Sequence, residues 1–343
     1  TLTLELLLVG CYVDDLAIAH TYSGEGSLYA EFTAALEARW KAEDEGEISD
    51  LLAIEFELKD GTVKLHQQSY IEKLVKTYGS IADQPGAQGS RAPCSDDIAQ
   101  AVADCLADAS ERSPEDIRKF QSIVGALLYC ATNTRPDVAY AIGMLCRCMS
   151  KPSPRLMREA QLVLLYLERT KSYGLTYKAD QEELFGMSDS DWAVKHSTTG
   201  WGFMYNQALI SWNSSKQTSV ALSSCEAEIM AASEAAKEAK FLLQYLTELK
   251  LIGPNPIELY VDNQAARDLA YNPEHHKRTK HIDRRHFFVR ELVERNQLSV
   301  PFVETAYNFA DFFTKALPAK TFVYMRDRIM NIPAERESST KAT

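Results

Sequence analysis

No run of the 343 residues is apolar over the roughly 20 positions that a membrane span requires. The most apolar stretch near the start, Leu2 to Val9, is interrupted by Glu5 and reads as a strand. An initiator Met is missing, as is any basic segment followed by a cleavage site, so an internal fragment rather than a secreted protein is expected. Cysteine is sparse and unpaired: seven residues, none in a Cys-x-x-Cys spacing, with Cys146 and Cys148 in an apolar helical stretch. That pattern excludes a zinc finger or a disulfide framework and predicts reduced, buried thiols in an intracellular compartment. Positive charge is also short. A net charge of -11 disfavours nucleic acid as a partner of the whole surface.

What is present alters that first impression. The 45% hydrophobic content supports folded domains, and the length exceeds what one ordinary core needs, so two or three units are expected. Charge is unevenly placed: HHKRTKHIDRRHFFVR, from His275 to Arg290, carries six Lys or Arg against one Asp, and four of the seven histidines. This is a local basic patch or, on charge alone, equally a solvated helix face.

Up to about His66 the pattern is strand, helix, strand. Apolar strands Leu4 to Val13 and Leu16 to His20 meet at Asp14-Asp15, Tyr29 to Lys41 has helical spacing, and Leu51 to Leu65 is a hairpin turning at Asp60-Gly61. Helices follow at Gln68 to Tyr78, Glu115 to Asn133, Pro136 to Met149 and Pro154 to Thr170, with a Gly-, Pro- and Ser-rich loop from Gln84 to Asp97. From Leu184 the pattern becomes three strands, a long helix from Ser223 to Lys250, a strand at Ile257 to Val261, and helical stretches around Gln264 to Tyr271 and Lys280 to Asn296. A strand Leu298 to Val303 and a short helix Tyr307 to Leu317 complete a mixed sheet flanked by helices. Residues 319–343 read as a partly helical to disordered tail, and no internal repeat is found.

Four acids stand out against this pattern. Alternation puts Phe185, Met187 and Asp189 on one strand face, so a carboxylate ends an apolar row. Asp191 shares that face; Asp189 is preferred because it ends the row directly. Glu228 lies one turn before Ala232 on the stripe Ala232, Ala236, Ala239, Leu243, Leu246, whereas Glu226 points nearly the opposite way. Asp262 follows the strand Ile257 to Val261 at its carboxyl end, where α/β sheets place ligand-binding groups, and Asp311 sits among Phe309, Phe312 and Phe313. Each has a bland reading alone: a helix cap, an exposed helix residue, or, for Asp311, a partner of Lys315 at i+4. Four together repel unless cations neutralise them, and two magnesium ions about 4 Å apart could activate water in a phosphodiester displacement. No organic cofactor is required.

The strings SDSDWA, STTGW, ISWNSSKQTSVALSSCEAEIMAASEA, LYVDNQAA, HHKRTKHIDRRHFFVRE and NFADFFTKAL, in that order, resemble the ribonuclease H region of copia-type retrotransposon Pol polyproteins. Upstream, CYVDD, KLHQQSYIEKL, IVGALLYCATNTRPDVAYAIGMLCR and YGLTYK resemble the end of the same polyproteins' reverse transcriptase, so the resemblance runs nearly to Leu317. It implies an α/β and α+β chain: a partial reverse transcriptase palm over residues 1–66, a helical thumb or connection region over 67–172, and a ribonuclease H-like mixed five-stranded sheet flanked by helices over 173–318.

The resemblance further implies that Asp189, Glu228, Asp262 and Asp311 are catalytic and bind two Mg2+ ions, or Mn2+, with Asp189 bridging both. The substrate would be an RNA/DNA hybrid, cut in its RNA strand to leave a 3′-hydroxyl and a 5′-phosphate. Asp14 matches the first Asp of the polymerase turn, a vestigial metal site whose bland reading is an ordinary tight turn. The fingers and an earlier palm strand of such polymerases are not in this sequence, so polymerisation is expected only of a full-length parent, and the amino-terminal part of that enzyme is a candidate partner. Lys277, Arg278, Lys280, His281, Arg284 and Arg285 lie between two of the acids and would meet phosphates. His276 and His281 would orient phosphate or assist product departure, with a structural role the alternative. One departure from the family pattern bears on substrate gripping: after Asp-Trp-Ala, VKH runs straight into STTGW where relatives have a longer loop. The competing reading of the whole is a catalytically inactive remnant that binds nucleic acid or packs against a polymerase partner.

Overall fold

The computed structural model describes residues 5–79, 91–179, 183–193, 197–271 and 283–333, with 269 and 283–286 by backbone alone. The chain divides into two compact units, Thr1–Phe56 and Glu57–Thr343.

In the first unit β1 (Leu7–Tyr12) and β2 (Asp15–His20) pair antiparallel with Tyr12 opposite Asp15. Helix α1 (Leu28–Arg39) opens at Ser27, whose hydroxyl accepts from the Ala30 amide at 3.0 Å and so satisfies a free helix-end donor. Strand β3 (Asp50–Leu51) pairs with the start of β4 (Ile54–Lys59). Among this unit's described residues only Ser27 is buried, so the hydrophobic cores belong to the second unit.

There, β5 (Thr62–His66) follows a turn at Asp60-Gly61, both with positive φ (50° and 74°), the mirror-image turn that Asp-Gly favours. Helices α2 (Gln68–Tyr78), α3 (Ile98–Ala107), α4 (Pro114–Asn133), α5 (Ala139–Cys146) and α6 (Pro154–Arg169) come next. Both α4 and α6 begin Ser-Pro: Ser113 and Ser153 accept from backbone amides, and proline at the first helical position loses no hydrogen bond. Helix α3 was not expected, although Ile98, Ala101, Val102 and Cys105 bury at helical spacing. An ion pair lies wholly inside this layer. Arg135 grips Asp137 through Nε and Nη2 at 2.9 and 2.7 Å, and donates to the Thr170 carbonyl at 2.9 Å, while the Tyr166 hydroxyl donates to Asp137 at 2.7 Å.

Strand β6 (Gly174–Lys178) pairs with β5, and β7 (Phe185–Asp191), β8 (Thr198–Tyr205) and β9 (Ala208–Lys216) form an antiparallel meander. After α7 (Ser224–Glu248), β10 (Ile257–Val261) joins parallel to β7; α8 (Gln264–Tyr271) and α9 (Asp283–Glu294) lead to β11 (Leu298–Ser299), parallel to β10. The order β11-β10-β7-β8-β9 is the mixed five-stranded sheet flanked by helices that the resemblance implies.

Ala232, Ala235, Ala236 and Ala239 of α7 pack with Ile257, Leu259 and Val261 in one core, small side chains letting helix and sheet approach closely. On the other face Met187, Met204 and Leu209 share a second core with Leu127, Ile142 and Leu145 of the helical layer. Trp212 Nε1 donates to the Ala131 carbonyl at 2.8 Å, tying β9 to α4.

The expected helix Tyr307 to Leu317 is instead two 3-10 turns, Thr305–Tyr307 and Phe309–Phe313. The tail is helical as α10 (Ala319–Ile329), but Phe322, Met325 and Ile329 are buried in the second core, so this part is packed and not frayed. All seven cysteines are free; Cys105, Cys130 and Cys148 are buried, while Cys11 is exposed, against the expectation of burial. No helix of the described residues is long and apolar enough to cross a membrane.

Candidate metal centre

Asp189 lies near the end of β7 and is 4% exposed. Its partner across the ladder is Gly200. A Cβ at Gly200 would sit 2.6 Å from Thr314 Cγ2 and 2.8 Å from Phe313 Cβ, so the missing side chain is what admits the turn Phe309–Phe313 against the sheet. Asn308 fastens that turn: its Nδ2 donates to the Ser188 carbonyl at 3.1 Å and its Oδ1 accepts from the Ala310 amide at 3.0 Å. From the same turn the Thr314 hydroxyl donates to Asp189 Oδ2 and fixes that carboxylate.

Glu228 comes from the opposite face of the sheet, near the start of α7. That helix opens at Ser223, which accepts from the Glu226 amide at 3.1 Å, while the Glu226 carboxylate accepts from the Leu222 amide at 2.7 Å. Glu226 is thus buried as a cap and Glu228, two residues on, faces the sheet. Asp262 arrives through strand register: Val261 pairs with Ser188 in a parallel ladder, so the following residue stands beside Asp189. One carboxylate oxygen from each of Asp189, Glu228 and Asp262 lies within 4.8 Å of the others, the one such cluster of three or more potential ligands among the described residues.

Asp311 is buried in the neighbouring turn but outside this set; its Oδ1 pairs with Lys315 Nζ at 2.7 Å. Asp191 is exposed at the strand end and also outside the set. Asp14 sits exposed in the β1–β2 turn of the first unit, joined to no cluster of this kind among the described residues. Lys277, Arg278, Lys280 and His281, and likewise His276, fall outside the described residues; Arg284 and Arg285 belong to α9, but their side chains are not described.

The electrostatics follow from burial. Loss of water pushes the Glu228 carboxyl up to about 9, with the charges of Asp189 and Asp262 adding to it. Burial, then the Asp311 charge, raise Asp189 to about 6. Asp262 is raised by burial against the opposing pull of the Thr305 hydroxyl. Glu228 Oε2 is buried with no hydrogen-bond partner. An orphaned acidic oxygen among like charges is costly unless a cation takes it, and an all-oxygen donor set suits a hard divalent ion. The residues present therefore fit a cation of the Mg2+ or Mn2+ kind.

The acids are legible in the sequence, whereas the groups that hold them in the structure are not. Asn308 carries a cap signal ahead of Phe309, and Gly200 stands within STTGW; nothing in the sequence marks Thr314 as the partner of Asp189.

No family model matches the chain. It is 31% identical over 331 residues to the retrovirus-related Pol polyprotein from transposon TNT 1-94 of Nicotiana tabacum, covering 95% of this chain and 24% of that protein. It is likewise 31% identical over 323 residues to the retrovirus-related Pol polyprotein from transposon RE1 of Arabidopsis thaliana, covering 93% of this chain and 21% of that protein. The chain thus spans about a quarter or less of the length of these relatives. Among solved structures it is similar to RNase H1 from Halobacterium salinarum NRC-1, at 17% identity and a TM-score of 0.28 over 38% of this chain and 94% of that one. By its likeness to the transposon proteins along nearly its whole length, the chain belongs to the Pol polyproteins of copia-type retrotransposons.

Proposed function

We propose that this chain is a divalent-cation-dependent endonuclease that cuts the RNA strand of an RNA/DNA hybrid, the ribonuclease H activity of its element. The observation that carries the reading is the meeting of Asp189, Glu228 and Asp262, from three separate elements, within 4.8 Å, with one Glu228 oxygen buried and unpartnered. Asp189, Glu228 and Asp262 would hold the cation, with Asp311 alongside as a fourth acid. A bound divalent ion, or a pair, would supply an acidified water and neutralise charge building on the phosphate.

The chain's own residues do the positioning. Thr314 holds Asp189 in one orientation, Asn308 docks the Asp311 turn on β7, and the α7 cap sets the rotation that brings Glu228 inward. A hybrid is distinguished by groove shape and by the 2′-hydroxyls of one strand, so phosphate contacts from Lys277, Arg278, Lys280, His281, Arg284 and Arg285 would carry affinity with little dependence on base sequence.

The test is a hybrid labelled separately on each strand, incubated with the purified chain with and without Mg2+. Cleavage of the RNA strand alone, and only with the cation, is expected. Cleavage of both strands, or activity indifferent to chelator, refutes the proposal; binding of the hybrid without any cut favours the inactive-remnant reading instead.

A further inference from the structure

Five carboxylates crowd one end of the sheet, and among the described residues one ammonium, that of Lys315, is paired with them. Lys315 Nζ contacts Asp311 Oδ1 at 2.7 Å. Its charge also acts on Asp189, Asp191 and Asp262, each of which it favours in the ionised form. Thr314 and Lys315 are consecutive: one fastens Asp189 and the other engages Asp311, so the end of one turn controls both acids. Asp311 is the buried acid left outside the three-carboxylate cluster, and it is the acid that Lys315 holds.

We propose that Lys315 is a tethered counter-cation of the centre, occupying at Asp311 the position a second divalent ion would need. Asp189, Glu228 and Asp262 take the first ion, and a second enters only by displacing the lysine from Asp311. This rests on the acids being a cation site, as argued above.

The chemistry of the two cations favours such an exchange. An ammonium is a compact point charge that satisfies one carboxylate oxygen, whereas a small divalent ion gathers several oxygens and keeps much of its water. The ammonium and a divalent ion would compete for the same Asp311 oxygen, Oδ1, which Lys315 already engages. The Lys315 side chain is 42% exposed, so its flexible stem can swing into solvent without unpacking a core. Lys315 is therefore a positioning residue: it acts through Asp311 and sets the number of ions held at a given concentration.

Mn2+ binding to the full chain, followed by the spectroscopic signal of the free ion, tests this without reference to activity. Wild type should bind one ion tightly and a second at least tenfold more weakly. Lys315→Met, which keeps the stem and removes the charge, should tighten the second site at least tenfold, about 1.4 kcal/mol, and move the first less. Lys315→Arg should keep the wild-type separation. Tighter binding cannot arise from a damaged fold, so this gain separates a local charge effect from misfolding. A second site unmoved or weakened in Lys315→Met overturns the role of Lys315 alone. Absence of any tight site in wild type, with Asp262→Asn making no difference, overturns the cation-site reading beneath it.

Discussion

Replacing Asp189 with asparagine should stabilise the cation-free chain and at the same time remove its response to Mg2+. Burial and the Asp311 charge raise this carboxyl from 3.8 to about 6. At about 1.36 kcal/mol per pH unit, holding it ionised well above pH 6 costs the folded state about 3 kcal/mol. Asparagine removes that cost while conserving shape. Its Oδ1 can still accept from the Thr314 hydroxyl, and its amide can donate to Glu228 or Asp262. At about 2 °C per kcal/mol for a unit of this size, Tm should rise by roughly 5 °C in chelator at pH 8.

The pH dependence has a definite sign. Acids whose pKa is raised in the folded state hold protons that the unfolded chain has already released, so cation-free stability falls as pH rises from the ordinary carboxylate range, near 4, towards about 9. The gap between variant and wild type should therefore fall to about half at pH 5 and close only below about pH 4. Saturating Mg2+ should raise the Tm of wild type and not of Asp189→Asn, wild type gaining about 2.7 kcal/mol of stability at a hundred times Kd. Thermal melts in chelator and in Mg2+ at both pH values check this. A lower Tm for Asp189→Asn in chelator at pH 8 would refute the reasoning, because the carboxylate would then be a stabilising hydrogen-bond acceptor with no need of a cation.

Three further outcomes follow from the geometry. Asp189→Asn should abolish hybrid cleavage whereas Asp191→Asn, at an exposed position, should retain most of it; the reverse result in a cleavage assay would show the wrong acid chosen. Gly200→Ala should force the Phe309–Phe313 turn away from β8, costing about 1–3 kcal/mol in denaturant titrations and lowering cleavage disproportionately. Arg135→Ala should leave Asp137 buried and unpaired and destabilise the chain by about 3–5 kcal/mol in the same titrations, with no direct effect on cation affinity.

The sequence exposes the acids because each sits at a break in a regular pattern. Asp189 and Asp262 end alternating apolar rows, and Glu228 heads a stripe of alanines at helical spacing. Such breaks are visible in one dimension. The Phe309–Phe313 turn is different: its aromatic residues satisfy a helical pattern equally well, and close approach at Gly200 with the Asn308 and Thr314 hydrogen bonds makes it a tight turn docked on the sheet. Helix α3 carries a readable spacing in Ile98, Ala101, Val102 and Cys105, directly after a polar loop. The shared core of Met187, Met204 and Leu209 with α4 and α5 was not legible, because period-two and helical patterns show that a face is apolar without showing what covers it. That coverage is why the helical layer and the sheet form one unit from Glu57 onward.

Calorimetric titration of Mg2+ into the wild-type chain at pH 7.5, repeated in buffers of different ionisation heat, bears most directly on whether these acids share a cation. With Glu228 raised to about 9, binding should expel about one proton, and Glu228→Gln should bind more weakly and expel correspondingly less. Binding with no proton release, unaltered in Glu228→Gln, would contradict the account.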